Sequence, residues 1–558
     1  MTAATPSYVH GADSRPLLGD TIGTLLDRVT TTYPERPALV VRAQEVRMTY
    51  RQFHAEVERV AAGLLALGLE RGERIGIWAP NRAEWVLLQF AAPKVGLILV
   101  NINPAYRTHE LEYSLNKVGC RALVLPRRFK TSQYLVILAE LAPELATCAP
   151  GQLRAARVPA LREVILLDEQ AEPGTRSWQQ LATLGDGAAL ERLHALEPKL
   201  NFDDAVNIQF TSGTTGAPKG ATLTHHNIVN NGWFIGEAMR LTEHDKLCIP
   251  VPFYHCFGMV LGNLACVTHG ACMVIPGEGF DALTTLQCVA EEKCTGLHGV
   301  PTMFIAELEH PRFAEFDLSS LRTGIMAGSP CPAEVMRRVV SEMHMSEVTI
   351  AYGMTETSPV SFQTVPDDPL DRRVDSVGRI HSHLEVKLVD EAGRVVPRGS
   401  TGELCTRGYS VMLGYWDDPA RTSEVIDEAR WMHTGDLAVI DADGYCSIVG
   451  RLKDMIIRGG ENVYPREIEE FLYGHPKIQD VQVFGVPDAK FGEHVCVWVR
   501  LREGSHASEA EIQDYCRHHL AYYKVPHHVR FVEDFPMTVT GKVQKYLMRE
   551  AMLAESAS

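Results

Sequence analysis

The run Thr211-Ser212-Gly213-Thr214-Thr215-Gly216-Ala217-Pro218-Lys219-Gly220 is the stretch of this sequence best equipped for chemistry. Its small residues let the backbone approach a ligand closely, its hydroxyls donate hydrogen bonds, and successive N–H groups in such a loop form a concave anion site. Phosphate oxygens suit that set of donors. The spacing is not that of a Walker loop: counted from Gly213, the Gly-x-x-x-x-Gly-Lys pattern needs glycine where Pro218 stands. Other reactive side chains are dispersed. Taken singly, Glu356 and Asp436 read as surface carboxylates, Lys542 as a solvated lysine, Lys453 as a polar linker residue and His255 as a packed core histidine. The pairs His225-His226, His518-His519 and His527-His528 have no metal-ligand spacing and read as surface or loop residues. The 13 cysteines include no Cys-x-x-Cys pair and read as scattered reduced thiols.

These residues need a scaffold, and the hydrophobic pattern supplies one. Thr49–Leu67 has helical spacing, Thr49 and Gln52 stand as a capping box, and Gly68 sits where a helix C-terminal glycine belongs. Glu73–Trp78 follows as a short buried strand, Ala83–Ala92 as a helix and Leu97–Val100 as another strand. The phosphate-loop candidate itself follows an apolar run, Val206–Phe210. Strands alternating with helices predict parallel sheets covered by helices, an α/β fold. Later the style changes. Glu385–Val389 and Gly402–Arg407 read as short strands, and Asp441-Ala442-Asp443-Gly444 reads as a hairpin turn between Leu437–Ile440 and Tyr445–Val449. Beyond the polar break Gly450–Asp454, a helix (Pro465–Tyr473), strands (Val481–Val486 and His494–Leu501), a helix (Ser508–Leu520) and a strand (His528–Val532) make a small α+β unit. The predicted boundary lies at Lys453, dividing the chain into 1–452 and 453–558.

Composition sets limits. The chain has 558 residues, enough for several buried cores, and a net charge of -16 that repels nucleic-acid phosphates. Its longest apolar stretches, such as Val95–Val100, are too short to cross a bilayer, so no transmembrane segment is expected. The first twenty residues carry Asp13 and Asp20, one arginine and no apolar core, which reads as neither a secretory nor a transit sequence; a cytoplasmic location is expected. A homodimer is compatible with the sequence but nothing in it selects one.

The loop Thr211–Gly220 resembles the signature of adenylate-forming enzymes, and further motifs of that superfamily follow in order: Tyr352-Gly353-Met354-Thr355-Glu356, Thr434-Gly435-Asp436, Gly450-Arg451-Leu452-Lys453-Asp454, and Pro536 with Thr540-Gly541-Lys542. Gly328-Ser329-Pro330, Gly408–Trp416 and Asp454–Asn462 are similar to fatty-acyl-CoA synthetases, those for medium-chain acids above all. The resemblance covers essentially the whole chain. It implies a large N-terminal layered α/β domain with a small β-barrel-like subdomain, and a small mobile C-terminal lid.

The resemblance also implies a reaction. A carboxylate attacks the α-phosphate of ATP, giving acyl-AMP and pyrophosphate, and the thiol of coenzyme A then displaces AMP. Thr211, Ser212, Gly213, Thr214, Thr215, Gly216 and Lys219 are implied to hold the β- and γ-phosphates, and Glu356 to bind Mg²⁺. Thr355 is implied to donate to the α-phosphate, Asp436 and Arg451 to face the ribose, and Tyr352, with Gly353 and Met354 beside it, to stack on adenine opposite Gly328, Ser329 and Pro330. Lys542 becomes the adenylation catalyst, bridging carboxylate and α-phosphate. Lys453 becomes the hinge, and Gly459, Gly460 and Glu461 the wall of the coenzyme A tunnel. His255 gates the acyl pocket, for which Met259, Val300, Pro301, Met303 and Val360 are candidates; their apolar character favours a hydrophobic acid. Two rivals differ in consequence: an acyl-AMP ligase that loads a free-standing carrier protein, and a nucleotide sensor without turnover. Joint retention of Glu356, Asp436 and Lys542 disfavours the sensor.

Overall fold

The computed structural model describes residues 5–211, 218–329, 331–458, 461–488, 491–517, 519–537 and 543–556. Two large mixed sheets form its body. The first has eight strands; its parallel run carries Ala205–Thr211, Ile98–Asn101, Arg74–Ile77, Ala122–Leu125, Glu163–Leu166 and Arg176–Ser177, and antiparallel strands Lys219–Thr224 and Gly414–Tyr415 extend one edge. The second has nine strands, parallel from Glu347–Gly353 through Thr323–Met326, Gly296–Leu297, Lys246–Cys248 and Cys272–Ile275 to Pro37–Val41.

Helices between the sheets bury most of the apolar surface. Helix Tyr50–Ala66 presents Tyr50, Phe53, Val57, Val60 and Leu64, all fully buried, on one face. Its predicted capping box is present: the Thr49 hydroxyl accepts the Gln52 N–H, and Gln52 Oε1 accepts the Thr49 N–H at 2.9 Å. Helix Ala83–Lys94 is buried on every side except at Glu84, as an element in a middle layer must be. At its end Lys94 is fully buried, with Nζ 2.6 Å from Asp27 and 2.7 Å from Glu197. The paired carboxylates raise its pKa against the opposing effect of burial. Removing both carboxylates would leave the ammonium unpaired in the core, a loss of about 3–5 kcal/mol.

The expected barrel-like end is an open antiparallel sheet instead, ordered Tyr8–His10, Leu384–Val389, Gly402–Gly408, Met432–Ile440 and Cys446–Arg451. Its edge strands Tyr8–His10 and Cys446–Arg451 do not pair with each other, and one face packs on the nine-stranded sheet through Val386, Leu388, Leu404, Ala438 and Ile440. A fourth sheet holds Ile456–Arg458, Glu461–Val463, Ile478–Asp488, Gly492–Leu501 and His528–Phe531 around its own core of Ile468, Val481, Val483, Val497 and Ile512. Lys453 sits in a single 3₁₀ turn, Leu452–Asp454, between the last strand of the open sheet and the first of this small one. Across the seam Arg466 Nη1 donates to Ile448 O at 2.8 Å, and Gln479 Nε2 to Glu309 Oε2 at 3.4 Å. No helix among the described residues is long and apolar enough to cross a membrane.

Candidate active site

Strand Ala205–Thr211 ends at the first residue of the loop, and Lys219–Thr224 leaves it antiparallel, with Lys219 opposite Thr211. Residues 212–217, which include Ser212, Gly213, Thr214, Thr215 and Gly216, lie outside the described residues, as do Pro330, Gly459, Gly460 and Lys542. The loop's base is anchored where Tyr113 Oη donates to Pro218 O at 3.1 Å.

Strand Glu347–Gly353 of the other large sheet delivers the next residues to the same place. Gly353 is required by space: a Cβ there would stand 1.7 Å from Pro359 O. The 3₁₀ turn Thr355–Thr357 then buries Thr355 and Glu356. Glu356 Oε1 accepts from Tyr415 Oη at 2.9 Å and from Thr211 Oγ1 at 3.3 Å. Lys219 Nζ lies 4.9 Å from the centre of the Tyr415 ring. Burial and the Glu356 carboxylate both raise the Tyr415 phenol's pKa, so it stays a donor. Sequence reasoning assigned Tyr415 no role. It lies within Gly408–Trp416, but only the pairing of strand Gly414–Tyr415 with Lys219–Thr224 puts its hydroxyl on Glu356.

Tyr352 reaches sideways into the open sheet, where its Oη donates to Asp436 Oδ2 at 2.5 Å. Burial first, then the Asp436 charge, pushes this phenol's pKa well up. Asp436 lies opposite Arg451 in register, with Arg451 Nε 3.4 Å from Oδ1. A second carboxylate unmarked by sequence shapes this turn: Glu403 meets His433 Nδ1 at 3.0 Å through Oε2 and accepts the Gly435 N–H at 3.3 Å through Oε1. Gly328, at φ 95°, and Ser329 are exposed at the end of strand Thr323–Met326.

His255 precedes a π-helix, Phe257–Leu264. Its Nδ1 accepts the Phe257 N–H at 3.1 Å, which leaves the proton of the neutral ring on Nε2. Cys256 Sγ bridges the two motifs, 3.6 Å from His255 Nδ1 and 3.9 Å from Thr355 Oγ1. Met259, Val300 and Val360 join one buried cluster with Met303 packed against it, and Pro301 begins the adjoining helix Pro301–Leu308. Met259 is fixed from three sides: Asn101 Nδ2 lies 3.3 Å and Gln209 Nε2 3.8 Å from its sulfur, and Gln89 Nε2 donates to its carbonyl at 3.0 Å. Asn231 pins Val360 through both of its backbone groups, at 2.8 and 2.9 Å. Arg451, Lys453 and Glu461 are exposed.

Besides the barrel-like end, two readings of single residues fail: Glu356 is a buried carboxylate, not a surface one, and His225 is buried as well. His225 is no surface residue; it is 1% exposed, and its Nδ1 accepts the Ile22 N–H at 3.0 Å. Burial lowers its pKa to about 4, so it serves as a neutral core acceptor.

Strand ends from the two mixed sheets thus bring Glu356 against Thr211, and Tyr352 against Asp436 of the open sheet, beside the phosphate-loop candidate. The chain belongs to the AMP-binding enzyme family: its profile matches residues 26–416, and that of the AMP-binding enzyme C-terminal domain matches 467–542. The chain is 49% identical over 551 residues to the mitochondrial medium-chain acyl-CoA ligase ACSF2 of Danio rerio, covering 98% of this chain and 90% of that protein. To the Homo sapiens protein of the same name it is 44% identical over 552 residues, with the same coverage. Among solved structures, the anthranilate CoA ligase AuaEII in complex with anthranoyl-AMP superposes with a TM-score of 0.85 at 27% identity, covering 98% of this chain and 99% of that one.

Proposed function

We propose that this chain is an AMP-forming acid–thiol ligase: it activates a hydrophobic, medium-chain carboxylic acid with ATP and passes the acyl group to coenzyme A. The full-length relation to medium-chain acyl-CoA ligases carries this reading. The site supports it. In the first half-reaction a carboxylate oxygen attacks the α-phosphorus and pyrophosphate leaves; in the second, the thiol sulfur attacks the acyl carbon and AMP leaves. Both steps move negative charge, so fixed donors and cations do most of the catalytic work.

The Thr211–Gly220 loop holds the β- and γ-phosphates, and Thr355 donates to the α-phosphate. Asp436 accepts the ribose hydroxyls; a carboxylate offers about four acceptor positions, enough for Tyr352, Arg451 and the sugar together. Tyr352, clamped by Asp436, presents its ring to adenine across from Gly328–Pro330. His255 and the Met259, Val300, Pro301, Met303 and Val360 surface receive the acid. The hinge is Lys453, separating domains 1–452 and 453–558, with Gly459, Gly460 and Glu461 along the pantetheine path.

Mg²⁺ fits Glu356. A buried carboxylate with hydroxyls on one oxygen offers a hard, oriented ligand, and nucleotide phosphates complete such a set. The ion would offset charge on the phosphates. Removing the Tyr415 hydroxyl should therefore loosen the ion without removing its ligand. Tyr415→Phe is expected to raise the Mg²⁺ concentration for half-maximal rate about tenfold, the lower end of such orienting effects. Rates across a MgCl₂ series at fixed ATP decide it; an unshifted curve makes Tyr415 a packing residue only.

The proposal is tested by product analysis with ATP, Mg²⁺ and a panel of carboxylic acids, with and without coenzyme A. An acyl-CoA product dependent on coenzyme A is expected, largest for aliphatic acids of medium length. Acyl-AMP with no thioester would transfer the reading to a carrier-protein acceptor. No adenylate with any acid would favour a nucleotide sensor.

A further inference from the structure

The pair His527-His528, which sequence spacing leaves without a partner, acquires a third imidazole in the small domain. Strand His528–Phe531 runs parallel to Gly492–Leu501, with His528 opposite Cys496, and the His527 N–H donates to Val495 O at 2.8 Å. This register carries His494, two residues before Cys496, against both. One ring nitrogen from each of His494, His527 and His528 lies within 4.8 Å of the others. The ring centres are 3.9 Å apart for His494 and His527 and 4.6 Å for His527 and His528. A carboxylate completes the group: Asp488 Oδ2 is 3.6 Å from His494 Nε2.

Three imidazoles this close are a poor arrangement for protonated rings. An imidazole is largely unprotonated at neutral pH, so each ring has a nitrogen lone pair to offer. His527 is exposed and His494 and His528 are half-buried, so the group opens to solvent. Arg458 also faces His494 and opposes an incoming cation, which points to moderate affinity.

We propose that His494, His527 and His528, with Asp488, form a binding site for a divalent transition-metal ion of the zinc class, separate from the ligase site. Three nitrogens and one oxygen are a common four-coordinate set for zinc, and imidazole selects it over Mg²⁺. Nitrogen–zinc bonds of about 2.0–2.1 Å put ligand nitrogens roughly 3.4 Å apart, somewhat closer than the present spread of up to 4.8 Å, so binding would draw the rings inward. Gly492, two residues before His494, pairs with Arg458 of strand Ile456–Arg458. An ion here ties three strands together beside that pairing.

The test is zinc uptake by the full-length protein, measured by isothermal titration with ZnCl₂ in a non-chelating buffer, without nucleotide. Wild type should bind one equivalent that His494→Ala and His528→Ala each weaken at least tenfold. His433→Ala, which alters the separate Glu403, Cys405 and His433 group, should leave that equivalent unchanged. His527→Gln changes an exposed ring and places the smallest burden on folding; it should also weaken binding, and it decides the matter if the other two variants do not fold. No zinc uptake by wild type, or the same isotherm in the His527→Gln protein, would overturn the assignment. Neither result bears on ligase activity, which is read separately from products.

Discussion

Lys542→Ala is expected to reduce acyl-AMP formation by about two to three orders of magnitude while leaving conversion of supplied acyl-AMP and coenzyme A to thioester nearly intact. The first half-reaction accumulates charge between the acid and the α-phosphate, and a fixed ammonium there is worth roughly 3–4 kcal/mol, the scale of one preorganised electrostatic group. The second half-reaction releases AMP and gains nothing from that ammonium. Pyrophosphate release measured without coenzyme A reads the first step, and thioester formation from synthetic acyl-AMP reads the second. Equal loss in both would remove Lys542 from a role specific to adenylation.

Lys453→Pro should have the second-largest effect, and of the opposite kind. Proline holds φ near -65° at position 453, which removes the φ rotation that a hinge there needs. Rotation of the small domain between orientations is thereby blocked. Thioester formation should fall at least tenfold more than adenylation. Lys453→Ala should retain most turnover, since a hinge position needs dihedral freedom more than charge. Unchanged coenzyme A-dependent turnover in the proline variant would refute the hinge.

Local structure was legible where chemistry is local. The helix at Tyr50 announced itself through Thr49 and Gln52, and the hairpin at Asp441–Gly444 forms as read, its Asp441 carboxylate accepting the N–H groups of Asp443 and Tyr445 at 2.9 Å. Helix Pro465–Tyr473 begins and ends where its pattern says. Contacts made by strand order were not legible. Strand Tyr8–His10 pairs with residues 385–387, a partnership no spacing rule reaches. Tyr415 on Glu356, Glu403 beneath Gly435 and His494 beside His527 all depend on which strands become neighbours. The histidine pairs illustrate the limit: one short pattern gives a buried acceptor at His225 and an open cluster at His527-His528. The π-helix at Phe257 also had no signature, because its apolar run fits any buried helix.

The seam between the small domain and the body has a kinetic meaning. The hydrogen bonds of Arg466 to Ile448 and Gln479 to Glu309 each include one charged group, a kind worth about 1.5–3 kcal/mol net. In the proposed cycle the small domain takes two orientations, and each 1.4 kcal/mol of preferential ligand binding shifts their ratio tenfold. On that proposal, loss of pyrophosphate and arrival of a thiol substrate reset the population, and the ligand itself acts as the pawl of a ratchet.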